Sequence, residues 1–481
     1  MQRQELLHRT RTADEYAFRH ALVRDAAYAT LPPDDRVRAH RRAAEWLVGR
    51  GENDSLRVAD HFEHAGERER AIDALVRATD SMYETMRNAG AMLARGRRLG
   101  ATGDPLGQLL SHELFRVMWQ GGVVNDTIAI AEEALACAEP GTMAWFNAAT
   151  VFVFTAAHSS RERVDELLGY ALQRPMPDHI SAAQAVNAFS MGLVGSKQPV
   201  RAAIVLAHAR KTTFSAPASS GWIRIAQVWP SMFVDGDLGA VIESMPIAEA
   251  LFERDPAGAV NVRYLLAWAQ HDAGLHEEAL ANATEATRMG GALIGGRFML
   301  TEHAKLVAAS AMLAMGNTRG AAEHLLPLLR VEDGVVSQRA QHLFAAVALA
   351  EGRIDDAERI VASVRHGQFA YALIDVVGSG AALARGDVPL AVARAEKALE
   401  SATNGATAPS LIGDAALQLA AALRAADAHE RAREIVTAAV ARLEVTERSL
   451  APELREAFRR RDARLRDWGP APESCREIAR R

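Results

Sequence analysis

His61 and His64 stand three positions apart, with Asp60 and Glu63 beside them, in a stretch patterned as a helix. Residues three apart share a helical face, so imidazole and carboxylate there could meet a metal ion. No third ligand stands at a usable spacing, and surface and packing roles are expected of both histidines. The glycine-rich run Gly290 to Gly296 follows a helix rather than a strand, which predicts a loop and not a phosphate cradle. No serine sits in a G-x-S-x-G turn. Cys137 and Cys475 have no Cys or His partner at metal spacing, which argues for a reducing compartment and against a disulfide framework. Arg19, His20, Arg24 and Asp25 fall where a strand pattern meets a helix pattern, and a joining role is expected. No G-x-x-x-x-G-K-[ST] loop occurs. The expectation is a chain with no catalytic residue, no cofactor and no metal.

What could hold such residues is a repeat. A turn residue is followed five positions later by a small or branched apolar residue, then by others four and seven further on. Gly274/Ala279/Ala283/Ala286 and Gly386/Ala391/Ala395/Ala398 show it cleanly. The frame also fits Gly66/Ala71/Leu75/Ala78, Gly122/Thr127/Ala131/Ala134, Ser159/Val164/Leu168/Ala171, Gly195/Val200/Ile204/Ala207 and Gly236/Val241/Met245/Ala248. It continues at Gly316, Gly352 and Asp427. From Gly122 onward the marks lie 34 to 42 residues apart, the period of stacked helical hairpins. A glycine can end a helix in the left-handed conformation, and the three following positions share one face of the next helix. A single hairpin cannot bury that face, so neighbours must complete the core.

The predicted fold is therefore all-α: a right-handed α-solenoid of about ten hairpins over residues 51–443. Residues 1–50 stand outside it, with one short strand near Tyr16 to Phe18 and two helices. Asp34 or Asp35 is expected to cap the second helix, with Val37, Ala43, Ala44, Trp46 and Leu47 facing inward. Between Gly66 and Gly122 a weak mark at Asn88 predicts two units sharing one long helix. Residues 444–481 read as a charged capping helix and tail. Aromatic residues are only 6% of a chain that is 49% hydrophobic, which suits close alanine-rich helix packing. The net charge of −5 gives no electrostatic case for nucleic acid or an anionic membrane. No run approaches the ~18 apolar residues of a membrane helix. No signal peptide pattern opens the chain, so a cytoplasmic location is expected.

In a hairpin array, ligands meet the face lined by the first helix of each pair. The marks resemble those of the tetratricopeptide repeat, and that resemblance implies inner positions two, three, six, ten and thirteen residues before each mark. They give His112, Arg116, Trp119 and Gln120 before Gly122, and Asn261, Tyr264, Trp268, His271 and Asp272 before Gly274. Before Gly316 and Gly352 they include His303, Ser310, Arg339 and His342, and before Gly195 they are small or apolar, with Phe189. Aromatic and arginine residues beside histidine and aspartate could anchor a protein partner or peptide. Packing of the tryptophans between hairpins is the other role open to them.

The repeat frame resembles the tetratricopeptide repeat, although the large aromatics of that pattern are often Ala, Met or Val here. The stretch from Tyr16 to Tyr28, YAFRHALVRDAAY, resembles large bacterial signalling ATPases of the STAND class. The resemblance continues through Arg36 to Trp46, Val58 to Gly66, Asn88 to Gly100 and Gly141 to Trp145. Together these segments are similar to the C-terminal third of myxobacterial-type serine/threonine kinase–ATPase–repeat proteins. That resemblance implies a winged-helix remnant at the start, and a sensor or interaction arm of a signalling system with an ATPase or kinase module as partner. The phosphate loop and the kinase catalytic-loop and magnesium motifs are absent from this sequence. A winged-helix transcriptional regulator and a fragment without independent function are the alternatives. Residues 1–50 carry ten arginines against seven acids, too small a bias for a DNA-reading helix.

Overall fold

A computed structural model describes residues 7–9, 16–80, 86–120, 124–156, 159–293, 298–331, 334–364, 372–404 and 408–468. Gly122, Gly295, Gly296 and Cys475 lie outside these residues. The chain forms two compact units, Met1–Glu113 and Leu114–Arg481.

In the first unit, Leu7–Arg9 pairs antiparallel with Tyr16–Phe18, with Leu7 opposite Phe18. The expected strand thus has a partner that alternation alone did not mark. The helix Ala21–Ala29 buries none of its residues, and Leu22 is 83% exposed. The helix Pro33–Gly49 starts after Pro32, so neither Asp34 nor Asp35 is its cap. Proline at the first helical position supplies the needed φ, and the two carboxylates sit in the first turn, near the positive end of the helix dipole. Ala44 and Leu47 are buried on this helix. Val37 and Trp46 are exposed, contrary to the inward placement expected of them, and the Arg50 guanidinium lies 5.0 Å from the Trp46 ring. The long shared helix does not form. Ala89–Leu99 ends at Gly100, and a new helix begins at Gly103. Both glycines are left-handed, at φ 91° and 57°, a conformation that stops a helix outright.

The second unit is an α-solenoid of tetratricopeptide-like hairpins. Its first helices are Met143–Ala156, Ile180–Gly195, Pro217–Pro230, Pro256–Asp272, Met299–Ala314, Gly334–Ala350, Ala372–Ala384 and Pro409–Ala425. Each packs on the next first helix, which makes them one inner row. The partner helices include Arg161–Gln173, Pro199–Ala209, Leu238–Glu249, His276–Gly291, Val388–Asn404 and His429–Ser449. Gly236, Gly274, Gly316, Gly352 and Gly386 all turn with φ between 67° and 82°. The inward positions are closed completely: Ala279, Ala283, Ala286, Ala391, Ala395 and Ala398 expose nothing. A methyl group at each lets neighbouring helices meet with no void, and any larger group would overpack them.

One mark is misplaced by two residues. The helix Ile180–Gly195 continues through Gly195, and the left-handed residue is Lys197, at φ 63°. The inward set that follows is Ala202, Leu206 and Ala209, all buried, while Val200 and Ile204 are 73% and 50% exposed. Glycine drew the mark to itself because it is the residue best suited to the turn, yet here a lysine bears the strain.

The chain then returns on itself. After His429–Ser449 come the helices Pro452–Arg461 and Ala463–Arg466. Gly239 donates its backbone N–H to Ser449 Oγ at 3.4 Å, and a Cβ at Gly239 would collide with the Ser449 carbonyl oxygen. At the turn of the central hairpin, a Cβ on Gly274 would lie 2.7 Å from the Ala457 carbonyl oxygen. Gly274 is therefore required twice, by its positive φ and by the close passage of Pro452–Arg461.

Candidate binding site

The inner row of first helices, with the returning segment, encloses a cavity of about 2220 Å³ in the second unit. One wall is aromatic. Trp229 stacks on Phe233 with centroids 5.7 Å apart and planes at 12°. Phe233 meets Trp268 edge-on at 5.2 Å, Trp268 meets Tyr264 at 5.8 Å, and Tyr264 meets His303 at 5.9 Å. The Arg339 guanidinium lies 5.1 Å from the Trp268 ring, a cation–π distance. Trp229 donates its indole N–H to Asn187 Oδ1 at 2.8 Å, and Trp222 donates to Asp255 Oδ2 at 3.0 Å. The two indoles are thus held by polar partners, and Trp222, Trp229, Phe233, Tyr264 and Trp268 all line the cavity.

The other wall is charged. The Arg461 side chain is 10% exposed and donates from Nη1 to Asp462 Oδ1 at 2.5 Å, with Nη2 3.7 Å from Asp414 Oδ2. Asp272, on the same helix as Trp268, is 1% exposed. Burial pushes its carboxyl up to about 7, against the opposing pull of a hydrogen bond with Ser410 and of the Arg461 charge. Beside it, burial first, then the charges of His276 and Arg461, hold the His271 imidazole down to about 3. His271 and His276 meet through their Nδ1 atoms at 3.2 Å.

Of the residues predicted from the sequence, Trp119, Tyr264, Trp268, His271, Asp272, His303, Arg339 and His342 line this cavity, as do Asn261 and Ser310. Trp119 is also a packing residue, 5% exposed and stacked on Phe298 at 4.6 Å. Arg116 and Gln120 are not on the cavity wall; Arg116 donates to Gln120 Oε1 at 2.6 Å. His112 is buried and belongs to the first unit. Phe189 is fully buried. With Lys197 in place of Gly195 as the mark, the inner positions become Gln184, Asn187, Met191, Val194 and Gly195, and each of these does line the cavity.

Two groups escaped the sequence frame. Trp222 and Trp229 sit one residue out of step with Gly236 because Ser231–Asp235 forms a π turn directly after Pro230, while Phe233, three before Gly236, keeps the frame. A π turn carries one extra residue, and a mid-helix proline is its one visible trace in sequence. Arg461 and Asp462 are brought in by the chain's return, for which no local spacing gives a signal, whereas Asp414 is on the inner helix Pro409–Ala425, thirteen residues before Asp427.

No family model and no curated protein matches the chain. Solved structures similar to it include the APC/C hetero-tetramer Cut9–Hcn1, at 12% identity, covering 94% of this chain and 97% of that one, with a TM-score of 0.45. A Rap protein complexed with competence and sporulation factor is 10% identical, with coverages of 79% and 99% and a TM-score of 0.48. The human IFIT1 dimer with PPP-AAAA is 12% identical, with coverages of 85% and 95% and a TM-score of 0.41. The hairpin architecture stands on this chain's own helices and turns. Among the described residues, no helix is long and apolar enough to cross a membrane.

Proposed function

We propose that the second unit is a non-catalytic receptor for an extended peptide segment of a partner protein, held along the inner helices. The observation that carries this reading is the continuous row Trp229–Phe233–Trp268–Tyr264–His303 along a cavity far longer than one side chain. Five rings from three consecutive hairpins give an extended set of anchor sites, which suits a polymer better than a compact metabolite. The N-terminal segment's resemblance to STAND-class and kinase-linked proteins supports a place in a signalling system, with an ATPase or kinase module as the element whose posture the bound peptide biases.

Selection of peptides from a displayed random library against the full chain, followed by calorimetry, tests this. Selected peptides should lose about 30-fold in affinity on Trp268→Ala, the ~2 kcal/mol of an aromatic anchor, and nothing on the exposed control Arg319→Ala. Equal binding to Trp268→Ala, Tyr264→Ala and the unaltered chain would remove the cavity from the account.

A further inference from the structure

The charged wall differs from an ordinary buried ion pair in what it leaves unsatisfied. Asp272 Oδ2 and Asp462 Oδ2, on carboxylates 1% and 5% exposed, have no hydrogen-bond partner among the described residues. Both residues line the cavity. Asp414 lines it too, with its side chain 57% exposed to the cavity interior. Of these three carboxylates, Arg461 bonds Asp462, stands 3.7 Å from Asp414 and acts on Asp272 through its charge, reaching the inner-helix pair Asp272 and Asp414 from the returning helix Pro452–Arg461, while Arg464 acts on Asp414 and Arg466 on Asp462 as well.

Guanidinium offers five N–H donors in a planar fork, and a ring of carboxylate oxygens is its natural complement. Arg461 satisfies Asp462 at close range and Asp414 at long range, which leaves acceptor capacity unused. Asp272 lies four residues after Trp268 on one helix, a rise of about 6 Å along that helix from the middle ring of the aromatic row. A long side chain of a peptide anchored at Trp268 would reach along the helix toward this point.

We propose that Asp272, Asp414 and Asp462 form a guanidinium subsite that Arg461 fills in the free protein, and that an arginine side chain of the incoming peptide enters by displacing it. The inference rests on the receptor reading above and adds to it the chemistry of one ligand side chain and an internal competitor. Displacement frees the helix Pro452–Arg461 from the Gly274 turn, so occupancy of the cavity is reported by the posture of the C-terminal segment.

The probe is N-acetyl-L-arginine amide, with the citrulline derivative as the neutral control, titrated into the full chain at pH 8. Arg461→Gln should bind the arginine derivative about tenfold more tightly than the unaltered chain, because the competitor's charge is gone. Arg461→Gln combined with Asp272→Asn should lose that gain, and citrulline should not bind either protein. Hydrogen exchange over residues 452–461 of the unaltered chain should quicken as the arginine derivative saturates. A folded Arg461→Gln with no gain in affinity overturns the proposal. If Arg461→Gln does not fold, the exchange measurement decides alone, and unchanged exchange in excess probe overturns it. Retained binding of library-selected peptides without arginine preference would sink the subsite while leaving the peptide receptor standing.

Discussion

The two walls of the cavity are built by different rules. The aromatic row grows from the inner sides of three consecutive hairpins, each ring touching the next. The charged wall joins Asp272, Asp414 and Arg461, which sit on three helices far apart in sequence. The first is local and repeated; the second exists only because the C-terminal segment comes back. A wall of rings tolerates sliding of whatever lies on it, whereas a wall of buried carboxylates around one cation selects charge and position.

Separating the two walls by mutation is the most direct way to break this contrast. Gly239→Ala should have the largest effect, a loss of about 3 kcal/mol in urea unfolding, because the added methyl meets backbone that cannot yield. Exchange should rise over residues 446–466 while tryptophan fluorescence from the aromatic row changes little. Stability equal to the unaltered chain would mean that the return is not a tight contact.

Asp272→Asn comes next, and pH discriminates it. The folded chain retains a proton on Asp272 up to about pH 7, whereas the unfolded carboxyl loses it near 3.8, so this group lowers stability as pH rises through that window. His271 acts in the opposite sense: its unfolded form titrates at 6.5 and its folded form near 3, so stability rises with pH between them. Asp272→Asn removes only the falling contribution, and should gain on the order of 2 kcal/mol over the unaltered chain between pH 4 and pH 8. A difference that stays constant across that range would place Asp272 in an ordinary solvated setting.

The hairpin pattern was legible because its cause is local: a left-handed turn, then small residues on one helical face. That logic located Trp268, Tyr264, His303 and Arg339 on the cavity. It failed by two residues at Lys197, where a side chain occupies the conformation usually given to glycine, and by one at Trp229, where the π turn adds a residue. It could not reach Arg461 at all, since the partners of that guanidinium are set by packing across more than one repeat. Trp46 illustrates the opposite error: helical spacing put it inside, but it is 48% exposed, with the Arg50 guanidinium over its ring.

The smaller effects sharpen the local side of the contrast. Asn187→Ala removes the acceptor of the Trp229 N–H and should cost about 1 kcal/mol, without the pH dependence of Asp272→Asn. Lys197→Gly relieves a left-handed residue at some entropic cost and should stabilise by about 0.5 kcal/mol. A loss there would contradict the reassigned turn and return the mark to Gly195.

The bond between Gly239 and Ser449 spans 210 residues of chain. During synthesis the hairpins can fold one after another as they emerge, since each needs only its neighbour. The closing contact must wait until Ser449 has emerged and carries the loop-closure entropy of that 210-residue span. A nascent chain thus passes through a period in which the aromatic row is assembled and the cavity still has an open side. On the receptor and subsite proposed above, a partner present during translation would meet the inner helices with no internal competitor, and order of arrival would join affinity in deciding which complex forms.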